Sequence, residues 1–350
     1  MGLVEQHHAL NRPERPVCSV CIANYNGAAW LDDCLTSILA QQGDVCIEII
    51  VHDDASTDHS VALLRERYPQ VELLVSKENV GFCVGNNRMV EHALGEYILL
   101  LNNDAALHAD AIAALLTAAR VSEAPSILTL PQYDWTTKAL VDRGCLLDFF
   151  YNPVPNLDPA QVDVSMAIGA CMFMPRSLWN SLGGFPDWIE SIGEDMYLCC
   201  LARLRGVAVR VLPQSGFRHR LGASFGGARI SANRLNTTLR RRRLSERNKT
   251  FVLFICTPTA AMWLLLAIHV SVLLLEGVVV SMIRLSARLF TDVYANVPRA
   301  LIQNRRRLLL VRGRVQGART VSVLSYFRLA KWLPHKLRML FRFGIPSFTR

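Results

Sequence analysis

The sequence predicts an α/β fold, a mixed, mostly parallel sheet flanked by helices, followed by a membrane-associated helical region. Three observations lead there. Short apolar runs alternate with helix-length segments through the first 120 residues, the pattern of a parallel sheet with helices on its faces. A polar, Asn- or Asp-containing turn follows each of those runs. Beyond residue 239 the composition changes, first to arginine clusters, then to an apolar segment, then to a basic tail.

In chain order, Val17–Ala23, Ile47–His52, Val71–Ser76 and Tyr97–Leu101 read as buried strands, apolar and partly β-branched. Ala28–Gln41, Thr57–Tyr68 and Phe82–Leu94 have helical length and spacing. Residues 125–165 carry prolines at 125, 131, 153, 155 and 159 and predict a loop-rich wall or lid. A second structured stretch runs from Val164 to about Arg220. The segments are therefore a polar N-terminal extension (1–16), a main domain (17–239), a basic linker with an apolar hairpin or re-entrant helices (240–290), and a basic amphipathic tail (291–350). Met1–Pro16 has no apolar stretch of the secretory kind.

Composition sharpens this division. Of the 350 residues, 51% are hydrophobic, more than an ordinary soluble core requires. The net charge of +9 conceals an acidic body, with 17 Lys/Arg against 26 Asp/Glu in residues 1–239. Residues 284–350 hold 15 basic residues and one acid, Asp292. Two environments are implied. The ten cysteines are scattered. Cys18 and Cys21 lie on a strand-like run where positions i and i+3 face opposite sides, so they read as small buried hydrophobes of a reducing cytoplasm and not as a zinc site.

Open α/β sheets bind ligands beyond the carboxyl ends of their strands. Those ends carry Asn24-Tyr25-Asn26-Gly27, then Asp53-Asp54-Ala55-Ser56-Thr57-Asp58, then Asn79 with Gly81 and Gly85, then Asn102-Asn103-Asp104. Each alone is ordinary turn chemistry; four along one edge make a candidate site. A strand-end carboxylate such as Asp53 can accept hydrogen bonds from a nucleobase or ribose. Asn102 and Asp104, two apart on an extended turn, point the same way and offer oxygens to Mg2+ or Mn2+. Glu194-Asp195 opens the apolar helix Met196–Leu204, where the helix dipole favours an ionised carboxylate, which suits a general base as well as a plain helix start.

These residues resemble glycosyltransferase family 2, in its rhamnosyltransferase-like branch. The resemblance rests on the four strand-end motifs, through Asn79-Val80-Gly81-Phe82 and Gly85-Asn86-Asn87, and on Gly169-Ala170-Cys171, Gly183-Gly184-Phe185 and Glu194-Asp195, and it covers about residues 17–250. It implies a GT-A fold (Rossmann-like, the nucleotide-diphospho-sugar transferase type) and an inverting hexosyltransferase that moves a sugar from a nucleotide-sugar to an acceptor hydroxyl. Asp53 would bind the nucleotide, with Asn24, Asn26, Asp54, Ser56, Asn79, Gly81 and Asn103 lining its pocket. Asn102 and Asp104 take the positions of the D-x-D metal motif, and Mg2+ or Mn2+ is the implied cofactor. Asp195 would be the general base, with Glu194 beside it. His219 resembles a downstream metal-site histidine, although a lone His is as often structural. Arg247-Asn248 resembles an Arg-Asn motif where arginine contacts phosphate, although a solvated basic turn fits equally. The sequence departs from the family at Asn102, where an acid is usual, and at Pro186, Tyr197 and Leu201. No Gln-x-x-Arg-Trp occurs, which speaks against a processive synthase of the cellulose or chitin type.

The resemblance further suggests rhamnose from a dTDP donor, with UDP-sugars as the other option, and a polyprenyl-linked saccharide acceptor in cell-envelope polysaccharide synthesis. Residues 251–283 fit neither one membrane span nor two, and their flanks are basic on both sides, which places the protein on the cytoplasmic face of the inner membrane. Val323–Phe343 interleaves basic and large apolar residues, as an in-plane helix on anionic lipid would; no nucleic-acid partner is expected, and a homo-oligomer stays open. The competing readings are an NAD-type oxidoreductase, a sugar nucleotidyltransferase and a non-catalytic membrane-associated nucleotide-binding protein. The first lacks G-x-G-x-x-G after the first strand, and the second lacks a basic Gly-rich loop there. The third has no need of Asp104 and Asp195.

Overall fold

The structure, a computed structural model, describes residues 4–43, 45–220, 222, 229–231, 234–344 and 347–349. The chain divides into two compact units, one of Met1–Gly144, Asn156–Leu198 and Val207–Arg220, the other of Cys145–Pro155, Cys199–Gly206 and Leu221–Arg350.

In chain order the strands up to residue 219 are β1 (Val4–His7), β2 (Cys18–Asn24), β3 (Ile47–Asp53), β4 (Glu72–Ser76), β5 (Tyr97–Asn102), β6 (Ala105–Leu107), β7 (Ser126–Thr129), β8 (Gln132–Asp134), β9 (Leu140–Asp142), β10 (Cys145–Leu147), β11 (Pro153–Pro155), β12 (Cys171–Pro175), β13 (Ala208–Val211) and β14 (Phe217–His219). The helices are α1 (Ala28–Leu39), α2 (Ser60–Arg67), α3 (Phe82–His92), α4 (Ala111–Val121), α5 (Arg176–Leu182), α6 (Glu194–Leu204), α7 (Leu239–Cys256) and α8 (Thr259–Ile283). Eight strands form the main sheet in the order β1-β4-β3-β2-β5-β12-β7-β13. Strands β4, β3, β2 and β5 run parallel, and β12 is antiparallel to both neighbours. A second sheet, β6-β14-β8-β9, stands beyond β5.

The predicted strands and helices form for the anticipated reason. Central β2 and β5 are buried on both faces, so their sequences are continuous apolar runs without alternation. The inner sides of α1 and α4 pack on them through Leu31, Leu35, Ile38, Ile112 and Leu115. Helix α2 starts at Ser60, later than Thr57, because the preceding amides are already engaged: Thr57 N–H donates to Asn26 Oδ1 at 2.7 Å, and Asp58 N–H to the same oxygen at 3.2 Å.

Two stretches differ from expectation. The proline-rich region is no simple loop, because β7 lies inside the main sheet between β12 and β13, bracketed by Pro125 and Pro131. Pro153 and Pro155 sit in β11 of the two-strand β10–β11 hairpin, an edge position where a missing N–H costs no ladder bond. Residues 4–7 are part of the sheet, pairing antiparallel along β4 as its edge strand.

In the second unit the apolar run 251–283 is cut in two. Thr257 and Pro258 separate α7 from α8, since Pro258 has no N–H with which to continue α7. Phe251–Cys256 are all buried in α7, so they are core and not lipid-facing surface. Among the described residues α8 alone is long and apolar enough to cross a membrane. The expected helix over 323–343 is two, Val323–Phe327 and His335–Phe343. Lys331 N–H bonds to the Leu147 carbonyl at 2.9 Å and Pro334 restarts the chain, so one continuous helix cannot form.

Candidate functional site

The site is built where β2, β3 and β5 end in register, Asn24 opposite Asp53 and Ala23 opposite Asn102. A hydrogen-bond chain crosses the three ends. Asn103 Nδ2 donates to Asn24 Oδ1 at 2.8 Å, and Asn24 Nδ2 donates to Asp53 Oδ2 at 2.8 Å. Ser56 completes it, its N–H on Asp53 Oδ1 at 2.9 Å and its hydroxyl on Oδ2 at 2.7 Å. Asp53 is fully buried, so it shapes the pocket from behind and presents no open oxygen. Gly27 is required here, because an added Cβ would overlap the Asn103 amide and Asn24 Oδ1.

The neighbouring carboxylate is held differently. Asp54 accepts the Val80 N–H at 2.7 Å and the Gly81 N–H at 2.9 Å, while Asn79 Nδ2 reaches the Asp54 carbonyl at 3.4 Å. Burial pushes its carboxyl above the usual range, against the pull of those two amides. Gly81 sits at φ +88°, a conformation glycine adopts without a Cβ clash. Asn26 ties the first loop to the second, its Oδ1 accepting from Thr57 and Asp58 amides. Asp58 joins two helix starts, taking the Ala28 N–H at 3.0 Å and the Ser60 N–H at 2.9 Å. Those bonds hold its carboxyl below its ordinary value, although burial acts the other way.

The metal-type residues converge at the next strand end. His219 Nε2 lies 3.0 Å from Asp104 Oδ1 and 3.5 Å from the Asn102 amide nitrogen. Asp104 and His219 are buried. Strand alternation aims the histidine, because Arg218 and Arg220 point the other way and both stack on Trp135. Behind the ring, Gln132 Nε2 is 3.3 Å from His219 Nδ1, and Gln132 Oε1 is buried with no hydrogen-bond partner among the described residues. With the amide turned over, that oxygen accepts Nδ1–H and leaves Nε2 bare for a cation. A carboxylate, an amide and an imidazole thus suit a hard divalent ion. Gln132 carries no motif; only the parallel pairing of β8 with β14 brings it here, opposite Phe217.

The candidate base approaches from the other side. Asp195 Oδ2 accepts the Gly169 N–H at 3.1 Å, and the next residue, Ala170, gives its carbonyl to the Asn102 N–H at 3.2 Å. Asp195 is therefore linked to the metal-type turn through two residues, Gly169 and Ala170. Its loop is backbone-strained, with Glu190 and Ile192 at φ +69° and Gly193 at φ +102°, a cost of the kind found at functional sites. Glu194 is buried beside it. The buried Cys83 thiol is pushed up by burial first, then by the charges of Glu194, Asp187, Asp195 and Glu190, a measure of how much negative charge gathers there.

Of the sequence-selected residues, Asn24, Asn26, Asp53, Asp54, Ser56, Asn79, Gly81, Asn102, Asn103, Asp104, Asp195, Glu194 and His219 belong to the first unit. Arg247 belongs to the second, on α7, where its Nε donates to Asn248 Oδ1 at 2.9 Å and its guanidinium lies over Phe251.

Comparison with known proteins fits this arrangement. The family model "Glycosyl transferase family 2" matches residues 19–180, from β2 through the strand-end motifs to α5. Over residues 19–180, a little under half of its length, the chain is similar to glycosyltransferase family 2. It is 29% identical over 199 residues to a hyaluronan synthase of Pasteurella multocida, covering 56% of this chain and 19% of that protein. It is 29% identical over 188 residues to a chondroitin synthase of Escherichia coli, covering 52% and 26%. The match thus spans about a quarter or less of these two relatives. The solved structure of GalNAc-T7 with UDP, GalNAc and Mn2+ superposes with a TM-score of 0.56 at 14% identity, over 69% of this chain and 48% of that one. That likeness supports the GT-A fold.

Proposed function

We propose that this chain transfers a glycosyl group, with inversion, from a nucleoside-diphosphate sugar to an acceptor hydroxyl. The observation that supports it most is the convergence of Asp104, Asn102 and His219 at one strand end, with Asp195 linked to that end through Gly169 and Ala170. Asp104, Asn102 and His219 would hold Mg2+ or Mn2+, which neutralises the diphosphate when bound; the GalNAc-T7 structure contains Mn2+ together with UDP. The Asp53–Asn24–Asn103 chain and the Asp54-held loop shape the pocket for base and ribose. Asp195 takes the acceptor proton as the hydroxyl attacks, with Glu194 tuning its surroundings.

In this reading the sugar is rhamnose from a dTDP donor, a UDP-sugar being the other donor class. The acceptor is a lipid-linked saccharide of a cell-envelope polymer, reached at the cytoplasmic face of the inner membrane. Transfer assays with a panel of dTDP-, UDP- and GDP-sugars, each with Mn2+ or Mg2+, test the reading. At least one donor should bind and be turned over in a metal-dependent way. Asp195→Asn should abolish turnover while nucleotide binding persists. Equal loss of binding and turnover removes Asp195 as the base, and a panel without any binding removes the transferase.

A further inference from the structure

Helix α8 has one face inside the second unit and one face outside it. Its inner side carries Met262, His269, Leu273, Gly277, Val280 and Ser281. Its outer side exposes Leu264, Ile268, Val272, Leu275, Val279 and Met282, each between 42% and 69% accessible. Their spacing of four, four, three, four and three draws one apolar stripe along the whole helix. At 25 residues the helix is about 38 Å long, which is enough to cross a hydrocarbon core of ~30 Å.

Length permits a crossing, but the connections of its two ends forbid one. At the start, Arg312, which follows α8 in the chain, donates to the Thr257 carbonyl at 2.8 Å and to Thr259 Oγ1 at 3.4 Å, and Gln316 bonds to the Ile255 carbonyl at 2.9 Å. Near the far end, Glu276 pairs with Arg242, which precedes α8, at 2.6 Å, and with Lys336, which follows it, at 2.7 Å. Tyr294 also folds back, its hydroxyl on Glu276 at 3.2 Å and its ring where a Cβ on Gly277 would stand. Both ends are thus fastened to one body by residues from both sides of the helix in sequence. A crossing would carry that body into the lipid with it, including the buried group of Glu246, Lys249, Arg242 and Lys336.

We propose that α8 lies in the plane of an anionic bilayer, its outer stripe in one leaflet, so that the second unit is a one-sided membrane anchor. Charge complementarity selects anionic lipid as the occupant, since residues 284–350 hold 15 basic residues against one acid. The helix His335–Phe343, joined to α8 through Lys336, adds exposed Leu340 and Phe341 between the basic Arg338 and Arg342. The inference does not rest on the transferase reading, and its test does not require turnover.

The experiment places an environment-sensitive fluorophore on the full-length chain at Leu264→Cys, Val272→Cys, Leu275→Cys or Met282→Cys, in a Cys46→Ser background because the other nine cysteines are buried. Each protein is bound to mixed phosphatidylglycerol–phosphatidylcholine vesicles carrying nitroxide at shallow or deep acyl positions. In-plane insertion makes all four sites equally shallow. A depth profile deepest at Val272 with shallow ends means that α8 spans, and overturns the proposal. Absence of quenching at every site, or labels shielded by dimer formation instead of lipid, also overturns it. As a second variant, Leu275→Glu changes only an exposed side chain, and should weaken vesicle partitioning about tenfold or more without lowering the melting temperature.

Discussion

Gln132 and His219 show how much a single amide can decide. With Gln132 Oε1 on Nδ1–H, the imidazole presents a lone pair to a cation; with Nε2 on Nδ1, the ring is turned to donate to Asp104 instead. Gln132→Leu should therefore weaken Mn2+ binding about tenfold or more, by titration of the protein against Mn2+ with a paramagnetic readout, while Asp104→Asn should weaken it further by removing the anionic ligand. Unchanged Mn2+ affinity in Gln132→Leu would remove the glutamine from the site. His52 makes a second prediction. It is buried, against Arg88 and Ser76, and burial first, then the guanidinium, lower its pKa from 6.5 to about 4. The folded chain therefore keeps it neutral while the unfolded chain takes up a proton. Stability should fall as pH drops from 6.5 to 4, by about 3 kcal/mol from this residue alone, and His52→Gln should flatten the melting temperature over that window. At this scale the strand-end carboxylates and amides were legible because turn chemistry and ligand chemistry use the same residue types. Gln132 and His52 were not, since nothing in their local sequence marks the partners that the sheet brings to them.

Elements were legible where one physical rule dominates. Strands β2 and β5 are largely apolar runs because both faces are covered, and α1 begins soon after β2. Strand β7 escaped because Pro125 and Pro131 read as loop punctuation, whereas here they frame a four-residue strand that needs no donor at those positions. The tail was misjudged for the opposite reason: its amphipathic spacing runs through 323–343, but Pro334 and the Lys331–Leu147 bond divide it. The first turn of the site, between β2 and α1, gives the sharpest test of an element. Gly27→Ala drives a methyl group into the Asn24–Asn103 contact, so it should cost about 1–3 kcal/mol of stability and remove nucleotide binding as the Asp53 chain shifts. Gly313→Ala is the control, because nothing among the described residues lies within 4 Å of a Cβ there, and a helix-interior position should gain about 0.5–1 kcal/mol. Paired melting curves with nucleotide titrations check both; a Gly27→Ala protein that melts and binds like the parent would show that the three strand ends are not coupled.

At the scale of the whole chain, charge is distributed unevenly along the sequence. An acidic body of residues 1–239 precedes a tail, 284–350, with 15 basic residues against one acid. A polyanionic surface attracts the tail and repels the body, so electrostatics would orient the chain before any apolar contact forms. The two contributions separate by salt. Surface attraction is screened over about 10 Å at 0.1 M ionic strength, whereas burial of the α8 stripe and of Phe341 is not. Sedimentation of the full chain with phosphatidylglycerol-containing vesicles should therefore weaken steeply as salt rises and then level off at a residual affinity. Replacing both Arg338 and Arg342 with alanine should cost about 1 kcal/mol for each charge, or ten- to thirtyfold together, at low salt and almost nothing at high salt. Binding that salt abolishes altogether would make the attachment purely electrostatic and leave α8 outside the lipid. Binding that ignores salt would make the arginines a solubilising surface without a partner.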